Sequence, residues 1–426
     1  MFAGANNTSY TQAQKDLFVL AELDVSDKRT RRICKTIGAE RVAERDAEVT
    51  AYQQLPLAER KAVPEGVTAP TVAVAGVDGG RLQIFERVAA GTRPAETLPE
   101  VIEDDVLITE AETAATTTAH KSLWREDKIG TLLTMAGETH AADPCPEIPA
   151  AFVDPTWIPE LAKELKGRAA AQRDTEKPTN PPPDRAVGEP GVGEPVVAKA
   201  PWEPPEVQTK HFVATRRPWG AFGPMLATKA WSLGFYGAKR RAFLGDGAEN
   251  NWTLWRDYFS SFVPILDFIH ALTYVFHAAL AGRPFAEGWQ VYQRWIGWVW
   301  SGQMEPMIAE LAQRQAELGV PAADAKATSP ANVVAKALGY LQRNKERMRY
   351  ADFRQQGLPI VSSYVESAVK QFNYRVKGTE KFWREGGAEQ MLQLRADYLS
   401  DGDTMGEFWQ RRQTCESGQP RYRTAA

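Results

Sequence analysis

Cysteine is scarce in this chain. Cys34, Cys145 and Cys415 are too few and too scattered for a disulfide framework or a cysteine-based zinc site, and they fit a reducing cytoplasm. An excess of either charge is missing as well. The 51 lysines and arginines against 54 aspartates and glutamates leave a net −3, so no global positive field announces a nucleic-acid partner, which would have to be held by local basic patches. Long apolar runs are also lacking. The most apolar stretch, residues 262–280, is interrupted by Pro264, Asp267, His270 and His277, poor material for a bilayer span. No basic segment followed by an apolar one opens the chain, so no secretory signal is expected. A cytoplasmic protein without membrane contact is the expectation. Its 426 residues can bury at least one large core or divide into two or three domains.

What is present centres on residues 240–271, RRAFLGDGAENNWTLWRDYFSSFVPILDFIHA. Two apolar, strand-like runs, 242–245 and 262–266, each end on an aspartate, Asp246 and Asp267. Between them Trp252, Trp255 and Phe259 recur at the spacing of one helix face. The local reading is strand, helix, strand. In open α/β sheets the functional crevice lies beyond the carboxyl ends of the strands, which makes Asp246 a candidate active-site acid.

Ahead of this centre, residues 10–23 read as a helix, and a second helix follows with Ser26 as its N-cap. Ile33, Ile37 and Val42 keep helical spacing, while Lys28, Arg29, Arg31, Arg32 and Lys35 make its first turns basic. A helix-turn-helix recognition helix has this form, and so does an ordinary solvated helix. Residues 1–65 are therefore a helical N-terminal segment in which Arg31, Arg32 and Lys35 are candidate DNA contacts. From Pro70 the pattern becomes TVAVAGVDGGRLQIFERV, two β runs around Asp78-Gly79-Gly80. Asp-Gly is a strong hairpin signal, so a turn is expected there, with KSLWREDKIGTLLTM as a third antiparallel strand. Residues 176–205 are dense in proline and cannot bury a core, so 146–210 is read as an irregular linker, with order resuming at Trp219. Residues 271–349 have no strand signal and abundant tryptophan. They suggest an all-α insertion, assigned to 276–350.

The last informative stretch contains GLPIVSSYVESAVKQFNYRVKGTEKFW. Pro359 ends the structure before it, and Ser362 or Ser363 can cap the next helix. Ser363 and Glu366 fit a capping box, which would fold Glu366 back onto its own helix end. Lys370, Asn373 and Lys377 lie within about 40° of Glu366 on a wheel of roughly 100° per residue. An acid, two lysines and an asparagine on one face suit a metal ligand flanked by phosphate contacts.

Together, Asp78 in VDGGR, Asp246 in LGDGA, the Asp267-x-x-His270 pair, RMRYADFRQQ followed by GLPI, Glu366 in VES, and KGTEKFW resemble the DDE transposases of bacterial insertion sequences, in particular the ISKra-type group related to the Mutator-like transposases. The order and spacing of these motifs carry the resemblance, over roughly residues 72–399. It implies an RNase H-like α/β fold: a mixed five-stranded sheet flanked by helices, with an all-α insertion before the catalytic glutamate. The catalytic domain then comprises 66–145, 211–275 and the helices and tail of 351–426. It also implies that Asp78, Asp246 and Glu366 are the catalytic, metal-binding acids, and that Asp267 and His270 stand in support or against a DNA strand. The expected partners are transposon terminal repeats and target DNA, bound by a homodimer or higher oligomer in the nucleoid. A structure-directed nuclease on the same fold and a decayed DNA-binding descendant are the alternatives.

Three acids suit this chemistry. Strand cleavage and joining are in-line displacements in which charge builds on the attacking and leaving oxygens, and two Mg²⁺ (or Mn²⁺) ions can stabilise both. Hard divalent cations prefer carboxylate oxygen. The resemblance assigns Asp78 to both ions, Asp246 to one and Glu366 to the other.

Overall fold

The computed structural model describes residues 1–84, 124–173, 203–322, 324–378 and 381–415. Most of the proline-rich stretch 176–205, and the continuation of the Asp78 segment beyond Ile84, lie outside the described residues.

The chain is α/β, built on a mixed six-stranded sheet flanked by helices. Strands β1 (Val72–Ile84), β2 (Trp124–Ala136), β3 (Glu206–Thr215), β4 (Arg240–Gly245) and β5 (Val263–Leu266) lie in the order β3-β2-β1-β4-β5, and the two-residue β6 (Phe382–Trp383) pairs with the end of β1. β1 is antiparallel to β2 and parallel to β4, and β5 runs parallel to β4. β1 and β4 are mostly buried, as central parallel strands should be, and their near-continuous runs of Val, Ala, Phe and Leu follow from that.

The expected turn at Asp78-Gly79-Gly80 is not there. β1 passes straight through it, paired with β2 from Val72↔Met135 to Gln83↔Trp124. A two-residue Asp-Gly turn needs positive φ, and neither Gly79 nor Gly80 has it. Gly80 answers a packing need instead: a Cβ there would stand 2.9 Å from Asp127 Oδ1 on β2. β3 also begins before Trp219, inside the stretch read as linker. Its exposed Glu206, Gln208 and Lys210 alternate with half-buried Val207, Thr209 and His211, the polar pattern of an edge strand.

The N-terminal helices are α1 (Phe2–Asn6), α2 (Tyr10–Ala21), α3 (Asp27–Gln54) and α4 (Leu57–Arg60), with Ser26 capping α3. α5 (Trp157–Arg173) follows β2, and α6 (Trp219–Ser232) covers one face of the sheet, where Gly130 leaves room for Leu226 and Phe222. α7 (Glu249–Tyr258) joins β4 to β5. Residues 271–349 are helical, as their lack of strand signal suggested: α8 (Phe268–Leu280), α9 (Phe285–Trp300), α10 (Met304–Leu318) and α11 (Pro330–Asn344). Tyr292, Trp295 and Trp300 there are core side chains buried with Val72 and Phe243. α12 (Tyr350–Gln355) leads to α13 (Ser363–Val376), α14 (Glu385–Leu399) and α15 (Thr404–Cys415). α13 and α14 close the second core, in which Ala5, Cys34 and Ile37 of the N-terminal helices meet Leu82, Ile129 and Phe372. The N-terminal helices are thus packed onto the sheet-bearing body.

Where α13 crosses β1, the contact requires glycine. A Cβ on Gly76 would lie 2.5 Å from Val365 Cγ2, and β-branched valine has little freedom to turn away. Gly76→Ala should destabilise the protein by about 1–3 kcal/mol. Gly297→Ala in α9, where nothing lies within 4 Å of the added methyl, should be neutral or stabilising by up to about 1 kcal/mol. Denaturant titrations of the two variants test this contrast, and equal effects would refute the close approach at Gly76.

Candidate active site

The β1–β4 ladder ends at Gly76↔Leu244, so two residues further on Asp78 and Asp246 stand side by side where β4 ends. The Gly76 contact brings Val365, and with it the neighbouring Glu366 in the first turn of α13, over the same strand. Burial and then the charge of Asp246 push the Asp78 carboxyl up to about 7, opposed by the Gly79 amide, with His270 and Glu366 close enough to add their own influence. Asp78, Asp246, Glu366 and His270 therefore share one electrostatic neighbourhood. Lys370 and Asn373 follow Glu366 along α13 and Lys377 comes just past its end, whereas Arg31, Arg32 and Lys35 are exposed on α3.

Each acid is held by a different device. Asp78 accepts the Gly79 amide at 2.7 Å. Asp246 Oδ1 accepts the Ala248 amide at 2.9 Å and Asn251 Nδ2 at 2.7 Å. The turn after it depends on Gly247, whose φ is +98° and whose missing side chain admits Tyr340, 2.5 Å from a would-be Cβ. Tyr340 donates to the Asp246 carbonyl at 2.6 Å and stacks on Tyr274 with ring centroids 3.7 Å apart, so α8 and α11 brace the second aspartate. For Glu366, Ser362 rather than Ser363 is the N-cap, with no side-chain cap bond, so the Ser363–Glu366 capping box does not form.

Asp267 ties these parts together. It is fully buried at the end of β5 and caps α8, its Oδ1 accepting the His270 amide at 3.0 Å and meeting His270 Nδ1 at 3.2 Å. Its Oδ2 accepts the amide of Ser362, the residue that opens α13. Burial opposes the charge of Asp267, but the hydrogen bond and charge of His270, with the Ser362 amide, outweigh it and hold the carboxyl below its ordinary 3.8. Burial likewise opposes His270⁺. The Asp267 hydrogen bond and charge, then Asp246 and Glu366, raise the imidazole to about 9.

The donor set fits hard divalent cations, since Asp78, Asp246 and Glu366 offer only carboxylate oxygen. Burial, and after it the charge of Asp246, disfavours the ionised form of Asp78, and a bound cation would favour it. Among the described residues no group of three or more histidine, cysteine, aspartate or glutamate side chains is gathered closely enough to hold a metal ion.

The face read on α13 extends less far than its wheel. Lys370 is exposed and Asn373 half-buried, but the helix ends at Val376, and Lys377 is an extended C-cap with φ −95° and ψ 140°. Its ammonium lies 5.9 Å from the Trp124 ring centroid and is drawn toward Asp127. The sequence reading missed Asp127 altogether. That carboxylate is fully buried on β2, neither oxygen has a hydrogen-bond partner in another described residue, and burial pushes it up to about 7. Only the pairing of β2 with Gly80 puts it there, and no local pattern announces such pairing.

The Asp267–His270 pair gives a signed pH prediction. A base whose folded pKa is raised contributes stability fully below its unfolded value and loses it as pH rises through the folded one. His270 therefore contributes below pH 6.5 and ceases to do so as pH passes about 9. Asp267, lowered, contributes above its ordinary 3.8 and loses that as pH falls through its folded value. Asp267→Asn should cost about 3 kcal/mol at neutral pH, and the deficit should shrink above about pH 9, as read by denaturation across that range. A deficit independent of pH would show that the ion pair does not hold this junction. Comparison of the chain with family models, curated proteins and solved structures returns no match.

Proposed function

We propose that the chain is a DDE transposase with an RNase H-like catalytic fold, which cleaves transposon ends and joins them to target DNA. The observation that carries this reading is the placement of Asp78 on β1 beside Asp246 at the end of the neighbouring parallel strand β4, with Glu366 delivered over β1 through the Gly76 contact. The strand order supports it, as does the helical segment lying between Asp246 and Glu366. Mg²⁺ or Mn²⁺, bound as a pair, would supply the charge that stabilises the attacking and leaving oxygens.

The chain's own residues divide the work. Asp78, within reach of the charges of both Asp246 and Glu366, would help to hold both ions. Asp246, held by Ala248 and Asn251, keeps one carboxylate oxygen oriented without moving during the reaction. Glu366, in the first turn of α13, would hold the other ion. His270⁺, fixed by Asp267, places a positive charge beside the acids and can contact a DNA phosphate or the departing strand. Lys370, exposed one turn after Glu366, is suited to a backbone phosphate. The exposed Arg31, Arg32 and Lys35 at the start of α3 are suited to a second DNA segment.

A structure-directed nuclease would use the same acids but would not join strands. Incubation with labelled element ends and a target plasmid separates the two: joined product is expected, and cleavage alone would favour the nuclease. Asp246→Asn should reduce both steps on the order of 10²-fold or more, the range seen when one charge-stabilising group is removed, while binding to element ends persists. Joining at the wild-type rate by that variant would overturn the three-acid mechanism. Lys370→Gln should weaken DNA binding and lower the salt slope by about one. Lys377→Gln, its ammonium turned toward Trp124 and Asp127, should leave the slope unchanged in the same gel-shift titrations.

A further inference from the structure

A cleft of about 310 Å³ opens where α3, the turn after β3 and the start of α14 meet. Ala39 and Val42 form its apolar wall, Arg216 stands across from them, and Gly386 and Gln390 bring the first turns of α14 to it. The Arg216 side chain is only 10% exposed, and its Nε and Nη1 are buried without a hydrogen-bond partner. A guanidinium carries five donors, and leaving buried ones unmet is costly, so the cleft lacks an acceptor. Neighbouring arginines are satisfied: Arg217 donates to Asp46 at 2.9 and 2.6 Å, and Arg45 to Gln393 at 3.2 Å. Glu385 Oε1 stands 3.2 Å from Arg216 Nη1 but out of hydrogen-bonding alignment, on a side chain 83% exposed. Solvent competes for so exposed a carboxylate, and an anion entering the cleft would displace it. Glu389 also lines the cleft, but its oxygens are taken by the Thr215 hydroxyl at 2.7 Å and the Arg216 amide at 2.9 Å.

The start of α14 supplies donors as well. Its N-cap, Arg384, makes no side-chain cap bond, and the amides of a first turn have no partner within their own helix. A Cβ on Gly386 or Gly387 would meet nothing within 4 Å, so the approach to that turn is open. A buried guanidinium and a helix start facing one cavity attract an anion. Size narrows the choice: the volume matches the smaller organic ligands, whose sites run from roughly 300 to 1,000 Å³, and the wall of Ala39 and Val42 suits an apolar part beside the charge. We propose that this cleft binds a phosphate monoester, its terminal oxygens shared between Arg216 and the α14 amides. Gln390, whose Oε1 is likewise buried without a partner, can accept a hydroxyl of the same ligand. The sheet register gives the cleft its place. Thr215, just before Arg216, pairs with Lys128, which on its other side pairs with Gly79. Arg216 therefore leaves the sheet at the same edge as Asp78, two strand spacings or roughly 10 Å across. Two sources offer the ester: a free compound of nucleotide size, and the 5′-phosphorylated end of a DNA strand lying along that edge. The inference rests on the cleft alone and does not require the acids of the sheet to be catalytic.

Calorimetric titration of the full chain tests it, run without divalent ions so that the acids of the sheet take no part. The probes are thymidine 5′-monophosphate and a short thymidine oligonucleotide carrying either a 5′-phosphate or a 5′-hydroxyl. The monophosphate should bind with a Kd on the order of 100 µM. Arg216→Gln should weaken it by at least about tenfold, whereas Glu385→Gln, which removes the competing carboxylate, should tighten it by about twofold to threefold. An arginine with only a structural role predicts no such opposite signs. Thermal melting verifies that each variant folds, and if Arg216→Gln does not, the exposed Glu385→Gln decides alone. A 5′-phosphate that raises oligonucleotide affinity in the wild type but not in Arg216→Gln identifies a DNA end as the source. If it makes no difference while the monophosphate still depends on Arg216, the source is the free ester. No binding of the monophosphate at about 5 mM would overturn the proposal. So would wild-type affinity in a folded Arg216→Gln, or unchanged or weaker binding in Glu385→Gln.

Discussion

A buried carboxylate, Asp267, is the constraint on which the geometry of the site depends. One oxygen caps α8 and holds His270; the other holds the amide of Ser362, where α13 begins. The end of β5, the start of α8 and the start of the Glu366 helix are therefore fixed by a single side chain with no exposed surface. An ionised group in such a place is tolerated only when it is paired and hydrogen-bonded, and Asp267 is both. Tyr350 adds to the junction by donating to the Leu266 carbonyl at 3.0 Å, and the Phe268 amide reaches back to Ile360 at 2.9 Å. What reads along the chain as separate motifs is one knot in space.

The charged centre follows from that knot. Asp78 and Asp246 are adjacent because two parallel strands run in register. Glu366 joins them because Gly76 gives α13 a place to sit and Ser362 fixes where the helix starts. Burial first, and then the nearby charge of Asp246, raise the proton affinity of Asp78 and push its carboxyl up to about 7. His270⁺ offsets part of this rise and is itself held charged by Asp267, Asp246 and Glu366. The helices of residues 271–349 contribute through Tyr340 and the Tyr274–Tyr340 stack, which support the Asp246 turn from behind.

Much of this was legible in the sequence where local periodicity and burial agree. β4, α7 and β5 follow from apolar runs of strand length separated by an amphipathic segment, and their carboxyl ends marked Asp246 and Asp267. The helical character of 271–349 followed from its missing strand signal. The failures share a cause: the deciding partner lies far away in sequence. Asp78-Gly79-Gly80 looks like a turn in isolation, but pairing with β2 and Asp127 makes those glycines strand residues. β3 is an edge strand whose polar alternation resembles a loop. Lys377 completes a helical wheel but not the helix, because Gln83 donates to the Gly378 carbonyl at 2.6 Å and the chain leaves α13 to pair with β1.

We propose that Asp78, Asp246 and Glu366 form one divalent-cation site. Calorimetric titration of Mn²⁺ into the wild type and into Asp78→Asn, Asp246→Asn and Glu366→Gln tests it without reference to activity. The wild type should bind Mn²⁺, and each amide variant should lose at least about tenfold in affinity, the order of loss seen when even an outer-sphere partner of a metal is removed. Binding by all three variants at wild-type affinity, with unchanged thermal stability, would show that the acids do not hold the ions and would contradict the reading of this centre.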